Sequence, residues 1–159
     1  MKWVERVARK IGPQGKRVLE VGSYDVNGSV RPLFEGAKQY IGIDSRPGPG
    51  VDLVMSARSF VEDFKFLAED FDFAESFDVV ISINTIHNLA LEDCKAALKE
   101  IQRVAKNGAF VTMDAFRTGQ EKERMDAWNL TALTYMHVDE WVRVFSEVGY
   151  LGDYYWFIP

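Results

Sequence analysis

The chain has 159 residues, 47% of them apolar and 27% charged, with one cysteine and a formal net charge of −5. That size bounds one domain, 1–159, with a core of its own, and the lone Cys94 excludes an internal disulfide framework and points to a cytoplasmic setting. No run approaches the roughly 18 apolar residues of a membrane span, and the negative balance excludes broad attraction to nucleic acid phosphates, so a small-molecule substrate is expected, with no nucleic acid and no membrane.

The opening MKWVERVARKIG mixes basic and apolar residues and lacks the continuous apolar run of a signal peptide. Its Val4, Val7, Ala8 and Ile11 share a helical face over 2–11, and Gly12-Pro13 ends that helix. Arg17 to Val21 reads as a strand. Val30, Leu33, Phe34 and Ala37 then follow at helical spacing, with Ser29 as N-cap, Pro32 in the first turn and Gly36 as the stop. Tyr40 to Asp44 is a second strand, RPGPG at 46–50 a loop, and Val51 to Val54 a short third strand. A helix is expected over 57–69, with Phe60, Val61, Phe64 and Leu67 on one side.

Phe77 to Ile83 is a nearly continuous apolar run, as in a strand buried on both faces of a parallel sheet. Cys94, Ala97, Leu98, Ile101 and Val104 form the stripe of a helix over 91–105. A turn at Asn107-Gly108 leads into a strand from Ala109 to Asp114. Residues 121–136 read as helical, and Val138, Trp141, Val142, Phe145 and Val148 form a clear helix face ending at Gly149. His137 belongs to the start of that helix, and YLGDYYWFIP reads as a terminal strand. Strands alternating with helices indicate a doubly wound, mostly parallel α/β sheet with helices on both faces. In such sheets ligands bind beyond the carboxyl ends of the strands.

Those ends carry the polar residues. The first strand ends Glu20-Val21-Gly22, the second Ile43-Asp44, the third runs into Ser56-Ala57, the fourth into Asn84, and the fifth ends at Asp114. Gly22 lets backbone approach a ligand closely. Asp44, 22 residues further on, is placed to accept hydrogen bonds from ribose hydroxyls. A tight turn at Gly22 and a strand-end cap at Asp44 are the plainer readings of each alone; on successive strands of one βαβ unit the pair favours a nucleoside ligand. The loop GSYDVNG lacks the G-x-G-x-x-G that seats a pyrophosphate on a helix N-terminus. Asp25 would face that pyrophosphate, and two like charges ~4 Å apart at an effective dielectric of ~20 repel by about 4 kcal/mol. A ribose-bearing ligand without phosphate and with a positive group is easier to hold.

VLEVGSYDVNGS at 18–29, YIGIDSRPG at 40–48, and FDVVISINTIHNL followed by LKEIQRVAKNGAFVTMDAF resemble the motifs of class I S-adenosylmethionine-dependent methyltransferases over roughly residues 17–116. The resemblance implies the Rossmann-like methyltransferase fold and S-adenosylmethionine as cofactor. It would set Glu20 and Gly22, with Ser23 and Tyr24 beside them, toward the methionine portion. Asp44, with Ser45, would face the ribose, and Ser56 and Ala57 the adenine. Asn84 would lie by the methionine portion or at the mouth of the transfer site. Tyr24 and Val26 stand where the family has glycines, so the loop must take another path. The family fold also ends in two antiparallel strands, of which this chain supplies one, so the last hairpin strand is expected to be lacking.

Methyl transfer from a sulfonium is an in-line displacement, and a base is needed only where the acceptor must lose a proton. His87, just past the fourth strand, is the candidate base, weighed against a packing or capping role. Asn84 and Asp114 together make a poor magnesium site, so no metal is expected. Residues 117–136, with Trp128, Asn129, Thr131, Thr134 and Tyr135, are read as a wall over an acceptor pocket or as plain core. The aromatic tail at 154–156 is a candidate dimer surface. Two other readings stand beside the enzyme: a catalytically inactive methyltransferase-like partner subunit, and, disfavoured by the glycine spacing, a nicotinamide oxidoreductase.

Overall fold

Apolar residues spaced at 3.6 and at 2 set the elements, and the computed structural model describes them over residues 2–26, 28–60, 62 and 77–159. Helix α1 (Lys2–Ile11) buries Val4, Val7 and Ala8, as its spacing requires. Strands β1 (Arg17–Val21), β2 (Gln39–Asp44), β3 (Leu53–Val54) and β4 (Phe77–Ser82) follow the expected positions to within two residues. Helix α2 (Leu91–Val104) buries its whole predicted stripe. Then come β5 (Ala105–Phe116), α3 (Gly119–Trp128), β6 (Met136–His137), α4 (Val138–Val148) and β7 (Asp153–Phe157).

Three expectations change, and a fourth lies mostly outside the described residues. The helix expected after β1 is a four-residue 3-10 turn, Arg31–Phe34, because Pro32 and Gly36 leave too little chain to propagate an α-helix. The turn expected at Asn107-Gly108 lies inside β5, which starts at Ala105 and absorbs a register shift against β4 between Phe77 and Val79. The helix expected over 121–136 stops at Trp128. There Asn129 folds the chain on itself, its Oδ1 accepting from Thr131 N at 3.1 Å and Ala132 N at 2.8 Å. The helix expected over 57–69 falls mostly outside the described residues, among which Phe60 is buried.

The strands form one sheet in the order β3-β2-β1-β4-β5, with every described pairing parallel. Beside β5 lies β7, paired from Phe110↔Asp153 to Asp114↔Phe157, and the short β6 pairs with the last two residues of β5. The tail thus supplies one strand, parallel to its neighbour. One face of the sheet packs Val18, Val79, Ile81 and Phe110 against α1 and Phe34. The other packs Leu19, Val21, Val80, Val111 and Met113 against α2 and α4 through Leu98, Ile101, Trp141 and Phe145. With both faces covered, the carboxyl ends of the strands remain as the place for a ligand.

Candidate functional site

The β1 loop is drawn onto β2 by three backbone donors. Gly22 N and Ser23 N both reach Ile43 O, at 2.8 and 3.0 Å, and Tyr24 N reaches Asp44 Oδ2 at 3.3 Å. Arg46 N donates to the other Asp44 oxygen at 3.1 Å, and Ser45 Oγ stands at 3.5 Å from it. Asp44 is half-buried, and its Oδ2, with one donor, keeps acceptor capacity. Gly22 has φ +83°, and a Cβ there would overlap Thr85 of the β4 turn. The glycine is therefore demanded by its backbone and by Thr85, whose hydroxyl lies 3.3 Å from Gly22 O.

Tyr24 resolves the altered loop. Its ring turns away from the strand tips onto the 46–50 loop, with the Arg46 guanidinium 5.2 Å from its centroid and Gly48 pressed against it so closely that a Cβ would collide. Asp25 N bonds Pro49 O at 2.9 Å, closing the two loops together. Because the β1 loop runs into a 3-10 turn rather than a helix, a pyrophosphate would find no helix N-terminus here.

Glu20 departs from its expected direction. It is buried on the α1 side of the sheet, where Tyr40 donates to its Oε2 at 2.7 Å, and burial raises its pKa despite that bond and nearby Arg31. Arg31 lies 4.7 Å over the Tyr40 ring and pairs with Asp52. This cluster borders a hollow of about 660 Å³ that includes Asp25, Arg31, Tyr40 and Asp52 but not Gly22, Asp44, Ser56 or Asn84. Ser23 is buried too, its Oγ without a partner among the described residues. Tyr24, Asp44, Ser45, Ser56, Ala57 and Asn84 all keep accessible surface around the tips.

His87 sits in the 3-10 turn Ile86–Asn88 and is 4% exposed. Its Nδ1 accepts from Asp114 N at 3.3 Å, so Nε2 carries the proton, 3.5 Å from Asp114 Oδ1. Burial lowers the imidazole pKa to about 4 and raises that of Asp114 to about 6; Asp114 Oδ2 is buried without a partner among the described residues. The expected base is thus a neutral ring engaged at both nitrogens. Its carbonyl oxygen accepts from Leu133 N and Thr134 N, each at 3.0 Å, while Thr131 Oγ1 reaches Asn88 Oδ1 at 2.9 Å and Thr134 Oγ1 reaches Leu89 O at 2.7 Å. The 129–136 segment therefore hangs on the β4 turn. Trp128, half exposed, packs its ring 4.6 Å from that of Phe157, tilted by 43°. His137 is the N-cap of α4, in a capping box with Glu140.

Two residues that sequence reasoning passed over also shape the tips. Thr85 closes the space above Gly22, and Thr112 on β5 holds Asn84. Thr112 lies two residues before Asp114, so strand alternation sets both on one face. Among the described residues, no group of three or more His, Cys, Asp or Glu side chains could hold a metal ion, and no helix is long and apolar enough to cross a membrane.

The comparisons agree with this architecture. No curated protein matches the sequence. The YcgJ protein of Bacillus subtilis superposes with a TM-score of 0.60 at 17% identity, covering 91% of this chain and 66% of that one. An S-adenosylmethionine-dependent methyltransferase from Archaeoglobus fulgidus gives 0.60 at 16%, covering 93% and 68%. The 1,6-didemethyltoxoflavin-N1-methyltransferase of Burkholderia thailandensis, solved with its substrate and S-adenosylhomocysteine, gives 0.59 at 8%, covering 92% and 65%. The chain thus spans about two thirds of the length of these neighbours, and at such identities the likeness is one of fold. The sequence itself matches the methyltransferase domain model over residues 19–113, from within β1 to the second half of β5. With more than half of its residues in that match and its strand tips built around Gly22 and Asp44, the chain belongs to the methyltransferase-domain family.

Proposed function

We propose that this chain transfers a methyl group to a small organic acceptor at the tips of β1, β2 and β4. S-adenosylmethionine is the methyl donor, and when bound its sulfonium supplies a methyl carbon already activated for displacement. The observation that carries the reading is Asp44, a half-buried carboxylate whose Oδ2 accepts one backbone N–H and retains a lone pair, and whose Oδ1 accepts Arg46 N and a long, rotatable contact from the Ser45 hydroxyl. Two vicinal ribose hydroxyls need such a pair of acceptors. Ser56 and Ala57 border the place of the base, and Asn84 that of the amino-acid end. Ser45 lies at the ribose margin, Tyr24 and Gly22 contribute backbone, and Glu20 and Ser23 support the floor from beneath.

The remaining task of the chain is to hold acceptor and methyl carbon in line, which is worth as much as ~7–11 kcal/mol in well-oriented reactions. We assign His87 to holding the 129–136 segment rather than to taking a proton, because Nδ1 is spent on Asp114 N and Nε2 bears hydrogen. That arrangement favours an acceptor whose nucleophilic atom already carries a free lone pair, such as an amine or a thiolate. Calorimetric titration with S-adenosylhomocysteine tests the core of the reading. The wild-type chain binds and Asp44→Ala weakens binding at least about tenfold, the loss of hydrogen bonds to a charged group; unchanged affinity in the variant removes the ribose assignment.

A further inference from the structure

Asn84 follows β4 with φ +52°, the one non-glycine residue with positive φ among the described residues. That region is unfavourable for residues with a side chain, least so for asparagine, and strain of this kind persists only where surroundings enforce it. Thr112 of β5 enforces it. Its hydroxyl, 4% exposed, accepts from Asn84 N at 2.6 Å and donates to Asn84 Oδ1 at 2.8 Å. A hydroxyl has a single proton to give. Given to Asn84, that proton must meet the carbonyl oxygen and not the amide nitrogen. Nδ2 is thereby turned away from β5, and among the described residues it has no acceptor, although Asn84 is exposed at the strand tip. A second tie, Asn88 Nδ2 to Asn84 O at 3.3 Å, holds the peptide that follows Asn84, as Thr112 holds the one that precedes it.

We infer that Thr112 is a positioning residue that turns the two N–H donors of Asn84 outward at the exposed tip of β4, to bind the carboxylate at the amino-acid end of the methyl donor. The inference rests on the donor reading above. A neutral amide pointing its hydrogens outward selects an oxygen with lone pairs and offers nothing to an ammonium group. Valine fills the volume of threonine without the hydroxyl, and serine keeps the hydroxyl without the methyl.

The experiment compares Thr112→Val, Thr112→Ser and Asn84→Asp by calorimetry with two probes, S-adenosylhomocysteine and 5′-methylthioadenosine, which lacks the amino-acid end. Thr112→Val should weaken S-adenosylhomocysteine about tenfold and leave 5′-methylthioadenosine within about twofold, the size of one charge-assisted hydrogen bond. Thr112→Ser should restore the affinity. Asn84→Asp, a surface change that leaves the core untouched, should lose at least as much for the first probe alone. In the ligand-free protein the Asn84 backbone amide should exchange at least about tenfold faster in Thr112→Val than in wild type or Thr112→Ser. Wild-type affinity in Thr112→Val, equal loss for both probes, or unchanged exchange overturns the inference. A wild-type chain that binds neither probe defeats the donor reading instead, and amide exchange then judges the lock by itself.

Discussion

Asp114 and His87 pull the pH dependence of stability in opposite directions. In the folded chain Asp114 titrates near 6, above its ordinary 3.8, so its contribution is full at low pH and is lost as pH rises through about 6. His87 titrates near 4, below its ordinary 6.5, so its contribution is full at neutral pH and is lost as pH falls from about 6.5 toward 4. Across pH 4–6 the two nearly offset each other. Asp114→Asn removes the first alone. The variant should gain stability at pH 7–8, by up to about 3 kcal/mol before the new amide's own needs are met. It should then lose stability on acidification to pH 4 more steeply than wild type. Urea denaturation at pH 4.5, 6 and 8 reads this directly; a variant whose stability runs parallel to wild type shows that the buried carboxylate carries no such cost. At this scale the sequence exposed what chemistry marks: Gly22 and Asp44 stand at strand ends at a telling spacing. Thr112 stayed hidden, because a threonine inside an apolar strand looks like any β-branched residue until its partner across the sheet is known.

At the scale of elements, legibility followed length and punctuation. Helix α4 was readable to the residue because its apolar face is complete, Gly149 ends it with φ +72°, and HVDE spells its start. His137 does two jobs there: Nδ1 accepts from Asp139 N at 3.1 Å, and Nε2 donates to Arg117 O at 3.1 Å, joining the helix start to the end of β5. His137→Ala should cost about 1–2 kcal/mol, a lost cap plus a lost tie. His137→Asn keeps an N-cap acceptor and should recover about half of that. Equal midpoints for the two variants in urea would mean that the cap contributes nothing. The turn after β1 was less legible, since Val30, Leu33 and Phe34 are spaced alike in a 3-10 turn and in a short α-helix. The end of α3 was hidden by the apolar residues beyond it, Leu130 and Leu133, which are exposed rather than packed. Asn129 was the signal available, as a side chain able to bond its own backbone two and three residues on.

For the molecule as a whole, alternating apolar runs were enough to foresee the doubly wound sheet, and the parallel pairing follows from crossovers through helices. What they could not reveal is how the last strand is secured, since that depends on contacts distant in sequence. β7 pairs with β5 along one side, and its described residues keep Tyr154 and Tyr155 about two-fifths exposed. Besides the β5 ladder, Trp3 at 5.5 Å from Tyr155 and Trp128 at 4.6 Å from Phe157, it is held by Phe145 of α4, which is 4% exposed and touches four other rings. Trp156 is stacked at 5.9 Å and nearly parallel, with Tyr150 and Tyr154 at 5.1 Å and Trp141 at 6.3 Å. Phe145→Ala removes the ring on which strand and helix meet and should cost about 3–5 kcal/mol, the range for an aromatic deleted from a core. Phe145→Leu keeps apolar volume and should cost less than half as much. The loss should also be uneven. Amides of β7 and of the β5 residues it covers should exchange faster at low denaturant in Phe145→Ala, while those of β1 and β4, held by the other strands and by α1 and α2, should open only with the whole chain. Hydrogen exchange that accelerates uniformly over the sheet would instead make β7 an integral part of the cooperative core, not an edge that opens when its contact with α4 is lost.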